Sequence, residues 1–346
     1  MRASARDRHD ARASGDGRSR SGELRRRCAS VLLVAALLAC SGGRDAPARE
    51  GVRLRAPAPP TSVAEARPLP PSTFAAPERL VAIGDVHGDL AAFTSALRAA
   101  GAIDQDARWI GGALFVVQTG DLLDRGADER AILDLVERLG TEAEAAGGHL
   151  IALDGNHEIM NARGDFRYVT PAGFADFDSF ARGAHEHLPA RVAGRTIAFR
   201  PGGAYARLLA SHPIILRVGD TLLVHGGAQA QYLRSGLASI NEASRAFLLG
   251  EAPLAPALEA PDGPLWFRGF AQAGDEATCA ALGDALDAAE ARRMVVGHTV
   301  QETGITSACD DRVFRIDVGL SRFYGGPIEV LEITATGTRI VRGAIE

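Results

Sequence analysis

Gly120-Asp121-Leu122-Leu123-Asp124-Arg125-Gly126 follows the apolar run Ala113-Leu114-Phe115-Val116-Val117. Two carboxylates and a guanidinium on a short glycine-bounded loop at a strand end are too polar for a core and too patterned for a linker. Strand ends of this kind are where α/β proteins keep their chemistry.

The same unit recurs on both sides. Upstream, Leu80-Val81-Ala82-Ile83 ends in Gly84-Asp85-Val86-His87-Gly88-Asp89, and Leu90, Phe93 and Leu97 follow at helical spacing. Downstream, a helix with Ile132, Leu133, Val136 and Leu139 on its core face leads to Leu150-Ile151-Ala152-Leu153, which runs into Gly155-Asn156-His157-Glu158. Three strands that end in polar glycine loops and alternate with helices predict an α/β sheet whose loops meet along one edge.

The second half mixes hairpins with further strand–loop units. Residues 214–218 and 221–224 read as a hairpin around Gly219-Asp220, and its second strand enters His225-Gly226-Gly227. Met294-Val295-Val296 leads to Gly297-His298, residues 313–316 lead to Asp317, and 328–333 pair through Thr336-Gly337 with 338–341. This predicts two mixed sheets packed face to face with helices outside. Two long inserts, at 157–213 and from Ala228 to about Ala260, are expected to shape access to the loops.

The loops together supply Asp85, His87, Asp121, Asn156, His225 and His298. Carboxylate, amide and imidazole donors suit two divalent cations, manganese foremost with iron or zinc as alternatives. Asp121 is expected to bridge cations about 3.5–4 Å apart. Asp85 and His87 would complete one site, and Asn156, His225 and His298 the other. A bridging hydroxide is then a ready nucleophile, and the matching electrophile is a phosphate ester. Arg125 offers a two-pronged donor for phosphate oxygens, Arg268 a second, and Asn156 a third contact. His157 adjoins a metal ligand without having to be one, so it is the expected general acid, with Asp124 orienting it.

These motifs carry a resemblance. Gly84-Asp85-Val86-His87-Gly88, Gly120-Asp121 with Asp124-Arg125-Gly126, and Gly155-Asn156-His157-Glu158 are similar to the signature of the phosphoprotein phosphatase family of metallophosphoesterases. His225-Gly226-Gly227 and Gly297-His298-Thr299 stand where that family has its two later metal histidines. Met160-Asn161, Gly164-Asp165-Phe166-Arg167-Tyr168 and the run 295–301 resemble the Shewanella-like branch. The resemblance spans roughly residues 79–334. It implies a four-layer α/β/β/α sandwich and a protein phosphatase acting on phosphoserine, phosphothreonine or phosphotyrosine. The alternative is a nucleotide or dinucleoside polyphosphate hydrolase, because relatives with that activity share the motifs. A binding protein that kept the fold without the chemistry would lack a ligand or the acid, and none is missing. Val300 replaces the second histidine of many general metallophosphoesterases, and Ser321-Arg322-Phe323-Tyr324 replaces a Ser-Ala-Pro-Asn-Tyr segment of eukaryotic serine/threonine phosphatases.

Composition fits one catalytic domain. The 346 residues are 46% hydrophobic and 23% charged, and no apolar run approaches about 18 residues, so no transmembrane helix is predicted. Residues 1–27 hold nine Arg against four acids, which leaves −10 on the rest out of a total of −5 and argues against a nucleic-acid partner. Arg25-Arg26-Arg27, the apolar run 31–39 and Leu37-Leu38-Ala39-Cys40 read as a lipoprotein signal peptide over 1–40, with Cys40 lipidated. Residues 41–77, with Pro57-Ala58-Pro59-Pro60 and Pro68-Leu69-Pro70-Pro71, read as a disordered tether, and 78–346 as the catalytic domain. The expectation is an exported, periplasmic, membrane-anchored lipoprotein.

Among the other polar residues, Cys279 and Cys309 form an even pair that suggests a disulfide in an exported protein, with two buried thiols as the alternative. His185 and His187 are expected on a solvated surface, and His149 and His212 in structural roles. Asp165 and Arg167 read equally as an ion pair pinning the insert or as substrate contacts.

Overall fold

The computed structural model describes residues 66–183 and 188–344. The leader, Cys40, the first part of the tether and the pair His185/His187 lie outside the described residues. Folding begins before Glu78. β1 (Thr73–Phe74) pairs in parallel with residues 217–218, and Arg67 forms an ion pair with Glu137 at 3.3 Å. The tether expected over 41–77 is therefore corrected at its end: from Arg67 onward it is tied to the domain, because Phe74 finds apolar partners in Phe115 and His149 at ring distances of 5.0 and 5.2 Å.

Next come β2 (Arg79–Ile83), α1 (Leu90–Ala99), β3 (Phe115–Gln118), α2 (Glu129–Ala145) and β4 (His149–Ala152). β2, β3 and β4 run parallel, as the repeated strand–loop–helix unit predicts. The core face of α2 is as read from its spacing, with Ile132, Leu133, Val136 and Leu139 buried. The insert after His157 is helical: α3 (Asn156–Ala162), α4 (Pro171–Ala175), α5 (Ala190–Phe199) and α6 (Ala204–Leu209).

β5 (Ile215–Val218) and β6 (Thr221–Val224) form the predicted hairpin. β7 (Arg293–Val296), β8 (Thr306–Ala308) and β9 (Val313–Arg315) follow, then the hairpin β10 (Glu329–Thr334) and β11 (Gly337–Arg342). One sheet has the order β1-β5-β6-β7-β9-β8, the other β11-β10-β2-β3-β4. Strands of both sheets contribute to one continuous apolar core. These are the two mixed sheets with flanking helices of the expected sandwich. Because β6, β7 and β9 are also parallel, six strands direct their C-terminal loops at one another.

Two polar features brace this frame. His212 is buried between Asp154 at 3.3 Å and Glu137 at 3.5 Å. Burial alone would depress its pKa, but the two carboxylates outweigh burial and raise it to about 10. Its structural role holds, with acidic partners that are distant in sequence. His149 packs between Phe74 and Phe115. Cys279 and Cys309 are joined in a disulfide across 30 residues of chain. Replacing both by serine should lower stability by about 2–4 kcal/mol, read as a lower urea midpoint; an unchanged midpoint would deny the bond a stabilising role.

Candidate metal centre and active-site cavity

The loops after β2, β3 and β4 are interlocked by their own backbones. The N–H groups of Val86 and His87 donate to the Asp121 carbonyl at 3.1 and 2.9 Å, and that of Gly88 to the Leu122 carbonyl at 2.8 Å. A methyl group on Gly126 would strike the Gly88 backbone, and one on Gly155 would strike the Asp121 carboxylate, so both glycines are set by close approach. His87, Asp121, Asp124, Arg125 and His298 all have φ between 48° and 68°. Non-glycine residues in this region are strained, and five of them converge on one place.

Glu158 holds the strained loop. Its carboxylate accepts from the N–H groups of Asp121, Leu122 and Leu123 at 2.9–3.1 Å and from Gly155 at 2.7 Å. Burial and the nearby Asp121 charge push its pKa up to about 7. The Gly155-Asn156-His157-Glu158 motif contains Glu158 without signalling this role.

Two groups of donor atoms share Asp121: His87, Asp121 and His157 on one side, and Asp121, His225 and His298 on the other, each within 4.8 Å. Tautomers favour cations there. His225 Nδ1 faces the Thr119 carbonyl at 2.9 Å and His87 Nδ1 the Leu123 carbonyl at 3.0 Å. Donating to those carbonyls leaves both Nε2 atoms with free lone pairs, the usual arrangement behind metal-ligating histidines. His225 Nε2 then meets the Asn156 amide oxygen at 2.9 Å, His298 Nδ1 at 3.1 Å and Asp121 Oδ2 at 3.3 Å. Lone pairs facing lone pairs fit a divalent cation, whose ligand atoms lie about 3–3.5 Å apart for bonds near 2.1 Å.

Burial lowers His87 to about 3 and His298 to about 2, so both are neutral and able to ligate, whereas at His225 burial is outweighed by the Asp121 carboxylate, which raises its pKa, and a cation would have to displace that proton. Burial and the charges of Asp317 and Asp121 hold Asp85 well above the usual carboxylate range, and burial raises Asp317 to about 6. Carboxylates crowded in this way call for positive charge between them. Asp85 itself is held off both groups: its oxygens accept from the His298 N–H at 3.1 and 3.2 Å, and Oδ1 is 3.9 Å from His225 Nδ1.

A cavity of about 300 Å³ opens onto these donors, lined by Asp121, Asn156 and His157, both arginines, and the walls Tyr168, Trp266 and Tyr324. His157 Nδ1 lies 2.5 Å from Asp124 Oδ2, and its Nε2 is 3.7 Å from Asp121 Oδ2 and 3.4 Å from Arg125 Nη2. Burial opposes its charge, but Asp121 and the Asp124 hydrogen bond prevail and its pKa is raised. Arg268 donates to the His298 carbonyl at 2.5 Å and to Thr299 Oγ1 at 3.0 Å.

Three exposed aromatics ring Arg125, with its guanidinium carbon 5.0 Å from the Tyr168 centroid, 5.0 Å from Tyr324 and 5.6 Å from Phe323. Sequence reading missed this collar because Tyr168 and Tyr324 belong to separate segments. The aromatic cluster Phe323-Tyr324 in a polar turn was the available signal. Asp165 and Arg167 resolve to an exposed local ion pair at 2.6 Å.

Several of the proteins to which this chain is similar are phosphatases. Residues 78–302 match the calcineurin-like phosphoesterase family. A Shewanella-like protein phosphatase 2 from Arabidopsis thaliana is 40% identical over 306 residues, 78% of each chain. A Shewanella-like protein phosphatase 1 from Plasmodium berghei is 31% identical, over 72% of this chain and 69% of its own. A cold-active protein-tyrosine phosphatase of a psychrophilic Shewanella superposes with a TM-score of 0.65 at 27% identity, over 80% of this chain and 83% of that one. A serine/threonine phosphatase from Saccharomyces cerevisiae shares the fold at a TM-score of 0.55. The chain belongs to the calcineurin-like phosphoesterases, among the Shewanella-like protein phosphatases, and is a metal-dependent phosphatase.

Proposed function

We propose that the chain is a dinuclear phosphomonoesterase that removes phosphate from phosphorylated protein side chains, phosphotyrosine foremost. The observation that carries this reading is Arg125, held among Tyr168, Phe323 and Tyr324 at the mouth of the cavity that His157 lines. Aromatic walls complement a flat aryl ester, and a guanidinium beside them fits its phosphoryl group. Among the described residues, Arg125 and Arg268 are the basic side chains on the cavity wall besides the histidines. Two guanidiniums match one phosphoryl group better than a polyphosphate chain.

Asp121, Asn156, His87, His225 and His298 would hold two divalent cations, with Asp85 behind them and manganese first among the metals. Such cations supply Lewis acidity, activating water and neutralising the phosphoryl oxygens. Arg125 and Arg268 orient the phosphoryl group. His157, with Nδ1 fixed by Asp124, presents Nε2 to the cavity and gives its proton to the leaving oxygen. The likeness to the Shewanella protein-tyrosine phosphatase and to the Arabidopsis protein phosphatase supports a protein substrate. The Cys279–Cys309 disulfide supports export to an oxidising compartment, and the Leu37-Leu38-Ala39-Cys40 motif supports a lipid anchor there.

With manganese supplied, kcat/KM on a phosphotyrosyl peptide should exceed that on the matching phosphoseryl peptide and on a dinucleoside tetraphosphate by at least about tenfold, the effect of roughly 1.4 kcal/mol. A preference for the dinucleotide would overturn the reading.

A further inference from the structure

Arg195 belongs to α5, in the insert, yet its side chain is fully buried behind the His157–Asp124 pair. Nη2 donates to Asp124 Oδ1 at 3.2 Å, Nε to Asn161 Oδ1 at 2.7 Å, and Nη1 to the Gly173 carbonyl at 2.9 Å and to Glu129 Oε2. Two of these partners, Asn161 and Glu129, close the ring. Asn161 Nδ2 donates to the same Asp124 Oδ1 at 3.0 Å and to the His157 carbonyl at 2.9 Å, and Glu129 Oε1 accepts the Asp124 N–H at 2.8 Å. Phe177 and Phe199 close over the guanidinium at 5.2 and 5.1 Å.

We infer that Arg195 is a positioning residue for phosphoester cleavage, acting through Asp124 on the orientation of His157. The inference rests on the acid role proposed for His157. Asp124 has two carboxylate oxygens and a left-handed backbone, φ 68°. Oδ2 is committed to His157 Nδ1, and without Arg195 the other oxygen keeps a single amide donor. A buried carboxylate short of donors is costly and turns toward any alternative. The planar fork of Arg195 removes that freedom by binding Asp124, Glu129 and Asn161 at once, which a lysine ammonium cannot reproduce. A buried ion pair of this kind contributes little net stability but can fix one arrangement of a network. The insert is thus more than a wall around the entrance: through α5 it reaches the back of the catalytic pair.

The test is a mutant cycle read on two esters, p-nitrophenyl phosphate, whose leaving group needs little proton help, and a phosphoseryl peptide, whose alkoxide needs it most. Arg195→Met should lower kcat on the phosphoseryl peptide by about 10- to 100-fold, the usual cost of removing an outer partner of a functional group. KM and bound manganese should be unchanged, and the loss on p-nitrophenyl phosphate under about threefold. In a His157→Asn background the same change should add nothing, because both act through one group. If Arg195→Met does not fold, Arg195→Lys, which keeps the charge and loses the fork, is expected to show a smaller loss with the same ester dependence. Equal losses on both esters, lost manganese, or additive losses in the double variant would overturn the inference. Should His157→Asn itself show no ester dependence, the acid assignment fails instead, so the two failures are distinct.

Discussion

Asp121→Asn should lower turnover at least about 10³-fold and reduce bound manganese from two equivalents per chain. The expectation follows from the place of this carboxylate in both donor groups, 3.3 Å from His225 Nε2 and 3.8 Å from His87 Nε2. Asparagine is close to isosteric and tolerates the left-handed backbone that Asp121 adopts at φ 57°. Its amide oxygen can still accept the His157 N–H that Asp121 Oδ1 takes at 3.0 Å. What the substitution removes is the negative charge two cations would share. Lewis-acid stabilisation is worth several kcal/mol, and about 1.4 kcal/mol is a factor of ten in rate. Manganese is counted by elemental analysis after gel filtration and turnover with p-nitrophenyl phosphate. A variant that keeps two equivalents and at least a tenth of the activity would exclude a bridging role.

The parts of this site that sequence made legible are those encoded locally. β2, β3 and β4 end in glycine loops because the loops must pass within contact distance of each other, and those glycines stand next to the residues they serve. The hairpin β5–β6 announces itself through Gly219-Asp220, and β6 runs straight into His225. Arg195 could not be read in the same way. It lies 71 residues from Asp124, and only the packing of α5 against the segment around Phe177 brings them together. A trace remained: an arginine on a helical face shared with Val192 and Phe199 is out of place unless it is paired. The start of the domain is hidden in the sequence for a similar reason. Pro68-Leu69-Pro70-Pro71 has the composition of a linker, but Thr73–Phe74 gains a sheet edge that composition does not reveal. The collar around Arg125 is likewise a meeting of segments, with Tyr168 from the insert and Phe323-Tyr324 from the turn after β9.

His157→Asn separates two readings that the geometry sets side by side. His157 Nε2 shares a donor group with His87 and Asp121, so it could ligate a cation. Against this, His157 is tied to Asp124 at 2.5 Å and lies 3.4 Å from Arg125 Nη2, beside the expected phosphoryl position, as a proton donor to the leaving oxygen should. The two roles predict different losses. A ligand lost to asparagine would release manganese and slow every ester alike. An acid lost leaves the cations in place and slows each ester according to the basicity of its leaving group. The phenol of tyrosine, with pKa about 10, departs far more readily than a serine alkoxide. General acid catalysis contributes about 10²–10⁴-fold where proton transfer is needed. The variant should therefore retain two manganese ions, lose about 10²–10⁴-fold in kcat on a phosphoseryl peptide, lose less on a phosphotyrosyl peptide, and lose least on p-nitrophenyl phosphate. A uniform loss accompanied by one missing manganese would transfer His157 from the acid to the ligand set, and would leave Asp124 and the residues behind it supporting a metal site.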